Sequence, residues 1–410
     1  MGEAPDGAQS GIERAFRECY GQAVATLVRA FGDITRAEDA VQDAFAVASE
    51  RWAEQGIPPN PAGWIVTTAR NRAIDMLRRE ARGRELHQTI ADTEVSPEVD
   101  YTLETLELAE PVPDDQLRLI FTCCHPALRP EHQVALTLRL LGGLGVEEVA
   151  SAFLVSEAAM AKRLTRAKYK IKAANIPYRV PTAADLPDRL DAVLTVLYLI
   201  YNAGAATPAR SSLRAESVRL ARELMRLMPD EAEVAGLLAL LLLNESRITA
   251  RWAEGDVVLL RDQDRTLWNQ ELIKEGQQIV KACIRRGYPG PFQLQAAIQA
   301  VHSAAASLAA TDWTQIVANY DQLMAGAPTP VVALNRAIAV AELKGPEEAL
   351  REIDAIAGAL DGYHLMHAAR GEMLRRLGRV DEARAALERA RRLATENADR
   401  RVLDRQLSEL

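Results

Sequence analysis

Apolar residues recur every three or four positions along most of the chain, which is the spacing of one face of an α-helix. Aromatic residues make up 5% of the chain and charged residues of both signs 26%, a composition that favours packed helices over sheets. We therefore predict an all-α protein, and 410 residues are too many for one compact core. Two apolar faces are especially clear, one formed by Ile65, Ala69, Ile74 and Leu77 and the other by Met160, Leu164, Ala167 and Ile171.

The second of these faces belongs to a pattern typical of a helix-turn-helix. Val149, Ala150 and Phe153 provide the inner face of a first helix, Val155 fills the turn, and Ser156 is a good N-cap for a second helix. An ordinary helical hairpin with a solvated basic face is the alternative. In the DNA-binding interpretation the contacting residues are Ser156, Glu157, Ala161, Lys162, Arg163, Thr165, Arg166 and Lys168.

Charge is segregated along the chain, although the net charge is only −8. Residues 70–84 carry six arginines and two acidic residues, and residues 156–172 carry six basic residues and one acidic residue. Between them, residues 85–115 contain ten acidic residues, no lysine or arginine, and Pro97, Pro111 and Pro113. We predict two basic helices joined by an acidic linker, which could occupy a basic nucleic-acid channel or act only as a solvated tether.

The first basic helix has the residue types that bind single-stranded DNA, namely cations that follow the backbone and a candidate aromatic platform for a base. Trp64 is that platform, or alternatively a core residue. The candidate DNA-binding residues here are Trp64, Arg70, Asn71, Arg72, Arg78 and Arg79.

A third domain begins near Leu186, where the composition becomes rich in leucine and alanine. Gly345 and Gly378 are 33 residues apart and Ala349 and Ala383 are 34 apart, which is the tetratricopeptide period. The segment 312–328 is a candidate earlier copy, because Trp313, Ile316, Tyr320 and Leu323 share one helical face.

Three motifs in order resemble domains 2 and 4 of the extracytoplasmic-function sigma factors of bacterial RNA polymerase. They are Arg36-Ala-Glu-Asp-Ala-Val-Gln-Asp-Ala-Phe45, the stretch from Trp64 to Arg79, and the helix-turn-helix. The resemblance implies domain 2 over residues 10–84, a linker over 85–115 and domain 4 over 116–175, followed by an extension over 186–410 with tetratricopeptide-like repeats at about 300–410.

The resemblance also implies roles and partners. Glu38, Asp39 and Asp43 would dock on the clamp helices of the largest polymerase subunit, and without the resemblance a solvated acidic helix face is the alternative. The flap region of core polymerase would be a further contact. Residues 64–79 would melt and read the −10 promoter element, and the helix that begins at Ser156 would read the −35 element in duplex DNA. The linker would follow the active-site and RNA-exit path, and the extension would regulate the sigma domains from within the same chain.

Two positions depart from that family's pattern. Leu154 stands where the turn of the helix-turn-helix usually has glycine, and the stretch after Tyr201-Asn202 has Gly204-Ala-Ala-Thr-Pro where an aromatic residue is expected after the glycine. The turn geometry and the contacts of the extension depend on these positions.

Catalytic and metal patterns are weak. Asp262 and Asp264 follow an apolar run, as in aspartate-nucleophile phosphatases, but the helical sequence downstream lacks the other motifs of such enzymes. Cys123, Cys124, His125 and His132 match no common zinc spacing and are better explained as buried residues at a helix start. We expect no enzyme activity, no cofactor and no metal.

We also expect a cytoplasmic protein that does not enter membranes, because there is no basic and apolar leader and the longest aliphatic run is Leu237 to Leu243. Four cysteines suit a reducing compartment. The alternative function is a one-component transcriptional regulator that binds duplex DNA by the helix-turn-helix and a partner by the repeats.

Overall fold

The computed structural model describes residues 19–88, 113–153, 155–253, 255–287, 289–395 and 397–410, and for residues 80–88, 113, 152 and 209 it describes the backbone only. Residues 10–18 of the predicted domain 2, residues 89–112 of the predicted linker and Leu154 lie outside this part of the chain. The described residues form two compact units, residues 1–200 and 201–410. Both are built almost wholly from helices, which confirms the predicted all-α class.

The first part of unit 1 contains three helices. Helix α1 is described over residues 19–31, α2 spans Ile34–Gln55 and α3 spans Pro61–Gln88. Asp33 starts α2 by accepting hydrogen bonds from the backbone N–H groups of Thr35 and Arg36, an N-cap that satisfies two otherwise unpaired donors. Helix α3 extends through residues 85–88, into the segment predicted as linker.

The second part of unit 1 begins with helix α4, and helix α5 runs directly into a π-helical turn, Thr137–Leu141. Helices α6 and α7 form the predicted helix-turn-helix, with Ser156 as the N-cap of α7. Helix α8 runs across the boundary of the two units. The bounds are α4 Pro113–Cys123, α5 Pro130–Leu136, α6 Val146–Ala152, α7 Glu157–Ala173 and α8 Leu186–Ala205.

Unit 2 is a succession of helices, one of which is apolar on all sides. Every residue from Val234 to Leu243 of α10 is buried, as expected of a helix that is apolar on all sides. The remaining bounds are α9 Ser211–Leu227, α10 Ala232–Glu245, α11 Gln270–Arg286, α12 Pro291–Ala304, α13 Trp313–Gly326, α14 Pro330–Lys344, α15 Pro346–Ile356, α16 His364–Arg376, α17 Val380–Leu393 and α18 Asn397–Ser408.

The repeat detected in the sequence corresponds to two successive helical hairpins. Gly345 joins α14 to α15 with φ of 93°, and Gly378 precedes α17 with φ of 75°. Side chains with a Cβ rarely adopt this region, so glycine allows each tight turn. Ala349 and Ala383 are both fully buried at equivalent places in the two hairpins.

The phosphatase-like string forms a different structure from the one such an enzyme needs. Trp252–Ala253 and Asp256–Val257 pair as a short antiparallel hairpin, strands β1 and β2, and a short 3-10 turn follows at Leu260–Asp262. Asp264 accepts hydrogen bonds from the backbone N–H and the hydroxyl of Thr266, and so caps a second short turn. None of the helices in the described ranges has an apolar stretch that could cross a bilayer.

Leu374→Ala should lower the free energy of unfolding of unit 2 by about 2–5 kcal/mol, because Leu374 is fully buried in the core shared by α14 to α17. Leu365→Ala, on the same helix at a 46% exposed position, should cost less than about 1 kcal/mol. Urea unfolding followed by circular dichroism checks both. Equal losses would contradict the assigned core.

Candidate nucleic-acid interface

Helix α7 divides its residues among three faces. Met160, Leu164, Ala167 and Ile171 are buried, as the sequence pattern predicts. Lys168 lies on a second face, which is turned toward α2. Most of the predicted DNA contacts lie on the third face, and the exposed ones are Ser156, Glu157, Ala161, Lys162, Thr165 and Arg166, with Arg163 half-buried.

A further set of basic groups borders this face. His132 on α5 is half-buried, and its pKa is lowered by burial and by the positive charges of Arg129, Arg163 and Arg166, against an opposing effect of Glu131. Arg129, at the N-cap of α5, therefore extends the positive patch beyond α7. The sequence interpretation missed Arg129 because it lies outside the helix-turn-helix.

Tyr169 is a second residue that the sequence interpretation missed on α7. Its side chain is 72% exposed, and it follows Lys162 and Arg166 at helical spacing on the same face. A phenol that stands in solvent among cations can pack on a sugar or donate to a phosphate. The exposure of this side chain, which marks it as a candidate contact, is visible only in the structure.

Helix α3 presents the other predicted DNA-binding face. Ile65, Ala69, Ile74 and Leu77 are buried, whereas Asn71, Arg72, Arg78 and Arg79 are exposed and Arg70 is half-buried. A cleft of ≈ 350 Å³ is lined by Arg70, Asn71, Ile74, Asp75 and Arg78. This volume is within the usual range of about 300–1,000 Å³ for small-molecule sites.

The sequence left open whether Trp64 is a platform for a base or a core residue, and its position agrees partly with each. It is half-buried at the start of α3, and its ring meets that of the buried Trp52 edge to face, with centroids 5.3 Å apart. One edge therefore packs in domain 2 and another edge remains accessible. This arrangement holds the indole in a fixed orientation.

Glu38, predicted as an exposed docking residue, is almost completely buried, with 4% of its side chain exposed. One carboxylate oxygen accepts from Arg139 Nε at 2.5 Å, and the other accepts from Lys168 Nζ. Arg139 also donates to the backbone carbonyl of Leu144. A buried carboxylate needs such partners, because an unpaired charge in the interior is strongly unfavourable.

The neighbouring acidic residues of α2 differ from Glu38. Asp39 and Asp43 are exposed, as the docking hypothesis requires. Partial desolvation and the charge of Glu38 raise the pKa of Asp39. The helix therefore carries a concentrated negative charge beside one buried carboxylate.

A second set of contacts joins helix α1 to helix α4 and to Tyr178. Asp115, the last acidic residue of the predicted linker, is not solvated but 1% exposed, because Arg29 Nε lies 2.8 Å from its carboxylate. The Tyr178 hydroxyl donates to the carbonyls of Ala25 and Asp115 at 2.8 and 3.1 Å. Asp115, at the end of the predicted linker, therefore lies in helix α4 and is held by its ion pair with Arg29.

The cysteine and histidine residues differ in burial, and His125 and His132 are half-buried, not buried as the sequence interpretation had them. Cys123 and Cys124 are buried, at the end of α4 and not at a helix start as the sequence interpretation had it. Burial raises the pKa of the Cys124 thiol to about 12. Within the described residues no group of three or more His, Cys, Asp or Glu side chains could hold a metal ion.

Comparison with known proteins assigns families to both DNA-binding parts. Residues 15–83 match sigma-70 region 2, and residues 118–171 match sigma-70 region 4. The chain belongs to the extracytoplasmic-function sigma factors. It is therefore a DNA-binding protein that associates with core RNA polymerase and acts in transcription initiation. Residues 189–284 of this sigma factor match DUF6596, a family of unknown function.

Relatives of this sigma factor match either nearly the whole chain or about two fifths of it. It is 42% identical over 405 residues to the uncharacterized protein R00370 of Rhizobium meliloti (strain 1021), covering 97% of this chain and 96% of the relative. It is 29% identical over 169 residues to the probable RNA polymerase sigma factor RfaY of Xanthomonas campestris pv. campestris, covering 41% of each. It is 28% identical over 174 residues to the probable ECF RNA polymerase sigma factor SigI of Mycobacterium tuberculosis, covering 42% of this chain and 58% of the relative.

Glu38→Gln should lower the free energy of unfolding of unit 1 by about 3–5 kcal/mol, because Arg139 and Lys168 would lose the carboxylate between them. Asp43→Asn, an exposed change on the same helix, should alter it by less than about 0.5 kcal/mol. Urea unfolding of the full chain measures both. A loss below about 1 kcal/mol for Glu38→Gln would contradict the role given to this carboxylate.

Proposed function

We propose that this sigma factor reads the −35 element with helix α7 and melts and holds the −10 element with helix α3, while the core polymerase performs all the chemistry. The observation that carries this proposal is the pair of exposed cationic helix faces, each set on a buried apolar face. The sigma factor itself has no catalytic role in this proposal and needs no cofactor.

For the −35 element, the N-terminal half of α7 enters the major groove. Glu157, Ala161 and Lys162 are exposed side chains in the first two turns of the helix, where base edges are reached. Arg166, Arg129 and Tyr169 lie further along or beside the helix and contact phosphates, which fix register but do not read sequence.

For the −10 element, the exposed arginines of α3 follow the backbone of the melted strand. The cleft beside Asn71 offers amide and carboxylate groups that can pair with the edge of a base turned out of the stack. The accessible edge of Trp64 stacks on a neighbouring base.

For the polymerase, the exposed Asp39 and Asp43 make the first contacts of α2 with the clamp helices of the largest subunit, and Glu38 joins them. Domain 4 contacts the flap region, and the acidic linker follows the RNA-exit path. The concentrated negative charge on α2 supports docking on a basic partner.

Reconstituted transcription with core polymerase on a promoter with separate −35 and −10 elements tests the proposal. A promoter-dependent transcript that requires this protein is the expected result. Specific protection of duplex DNA in the absence of core polymerase, without any transcript, would favour the one-component regulator instead.

Lys162→Ala should weaken binding of the polymerase complex to the −35 element by about 1–3 kcal/mol, roughly five- to 150-fold, because an exposed ammonium that reaches base edges from the start of α7 is lost. Lys281→Ala removes an exposed positive charge from α11 of unit 2 and should leave promoter binding unchanged. Gel-shift titration at one fixed salt concentration compares the two variants. Equal effects would contradict the placement of α7 on DNA.

The extension regulates the sigma domains from within the chain, so removing residues 207–410 should change promoter-dependent transcription by at least about threefold. This truncation keeps α8 whole. Residues 207–410 supplied as a separate chain should restore the original level only at high concentration, because the tether provides a high effective concentration. Transcript yields that match the full chain at every polymerase concentration would exclude such regulation.

A further inference from the structure

We infer that free sigma domains 2 and 4 are held together by a clasp within unit 1, and that this clasp must open before the protein can engage a promoter. The clasp consists of Glu38 between Arg139 and Lys168, and of Asp115 and Tyr178 packed against α1. It lies within the sigma domains and is distinct from regulation by the extension. Its effect on polymerase binding rests on the docking role proposed for α2.

The first half of the clasp joins segments that are distant in sequence. Arg139 and Lys168 lie 101 and 130 residues beyond Glu38, and both belong to domain 4. The side chains of Arg139 and Lys168 are only 11% and 19% exposed, so solvent screens the pairs weakly. One turn further along α7, Lys172 lies 3.9 Å from Asp33, the N-cap of α2.

The second half of the clasp, formed by Asp115 and Tyr178 against α1, lies beside a close backbone contact. A Cβ placed on Gly21 would lie 2.9 Å from the carbonyl oxygen of Leu141, in the π-helical turn of domain 4. Glycine at this position therefore lets α1 approach that turn. The ion pair between Arg29 and Asp115 and the Tyr178 hydrogen bonds fix the same contact on either side.

The closed state is incompatible with simultaneous binding of both promoter elements. The two elements are about 25 base pairs apart, which at 3.4 Å per base pair is roughly 85 Å. Helix α7 touches α2, α2 packs against α3, and α3 with its 28 residues is roughly 42 Å long. No part of α3 can therefore lie 85 Å from α7 while Lys168 remains on Glu38.

The clasp also occupies two groups that the proposed function needs, the Glu38 carboxylate and the Lys168 amine. Glu38 cannot contact the polymerase while it is buried, and Lys168 cannot contact a phosphate while it is paired with Glu38. Asp39, Asp43 and Arg166 remain exposed, so the polymerase or the DNA can begin to bind before the clasp opens. The closed clasp and these two partners then compete for the charges of Glu38 and Lys168.

Carbodiimide coupling tests the closed state directly. The reagent activates the Asp33 carboxyl, which is accessible to solvent, and the Lys172 amine displaces the urea to form an amide bond between α2 and α7. Mass spectrometry of the free full-length protein should show this crosslink, and core polymerase should reduce its yield at least about fivefold. Lys172→Arg keeps the ion pair but cannot form the amide, so the crosslink should vanish. Absence of the crosslink while Asp43 is modified would overturn the inference.

Gly21→Leu tests the consequence without changing a charged, DNA-binding or polymerase-binding residue. The side chain should wedge α1 away from Leu141, lower the crosslink yield at least about fivefold and raise the affinity for core polymerase by at least about tenfold, as expected if the closed state is populated to at least about 90%. Gly326→Leu, at an exposed helix end with open space, is the matched control. Circular dichroism shows whether the variant folds, and Arg139→Gln replaces it if it does not.

The outcomes separate the clasp from the proposed function. Unchanged crosslinking and unchanged polymerase affinity in a folded Gly21→Leu variant, together with normal transcription by the unaltered protein, would overturn the clasp alone. A strong crosslink that opens in Gly21→Leu, in a protein that supports no promoter-dependent transcript, would support the closed state and contradict the polymerase role.

Discussion

The arrangement of unit 1 depends on one buried carboxylate. Glu38 is removed from water near the start of α2, and each of its oxygens meets a cation from domain 4. Removing a carboxylate from solvent costs several kcal/mol unless it is paired, so domain 4 must lie where Arg139 and Lys168 can reach it. The helix-turn-helix is therefore positioned by a charge in domain 2, and its exposed basic face is turned away from that contact.

The local structure around this carboxylate was predictable from the sequence because it depends on neighbours in the chain. The buried faces of α3 and α7, the Ser156 cap and the helix-turn-helix follow from apolar spacing and capping chemistry. The pairing of Glu38 was not predictable, because an acidic residue on an amphipathic helix is ordinarily solvated and its partners lie more than a hundred residues away. Asp115 was assigned to a solvated linker for the same reason.

In the extension, by contrast with Glu38, most of the fold can be predicted from the periodicity of the sequence. Each hairpin buries its apolar face on the next, so the same glycine and alanine positions recur with the period of the hairpin. Gly345 and Gly378 both have positive φ, and Ala349 and Ala383 both pack in the core. Asp264 shows the limit of motif matching, since its carboxylate caps a turn through Thr266.

The same few charges thus serve two arrangements that exclude each other. A carboxylate that stabilises the closed unit through two cations can be transferred to a polymerase surface only if that surface supplies comparable partners, since otherwise the exchange leaves buried charges unpaired. The apparent affinity of polymerase is the affinity of the open form multiplied by its population, so each factor of ten in favour of the closed state weakens binding tenfold. In the proposed docking, contacts from the exposed Asp39 and Asp43 would reduce that penalty, because they would form before Glu38 is released. Selectivity for the correct partner would then follow from the requirement that it replace both cations.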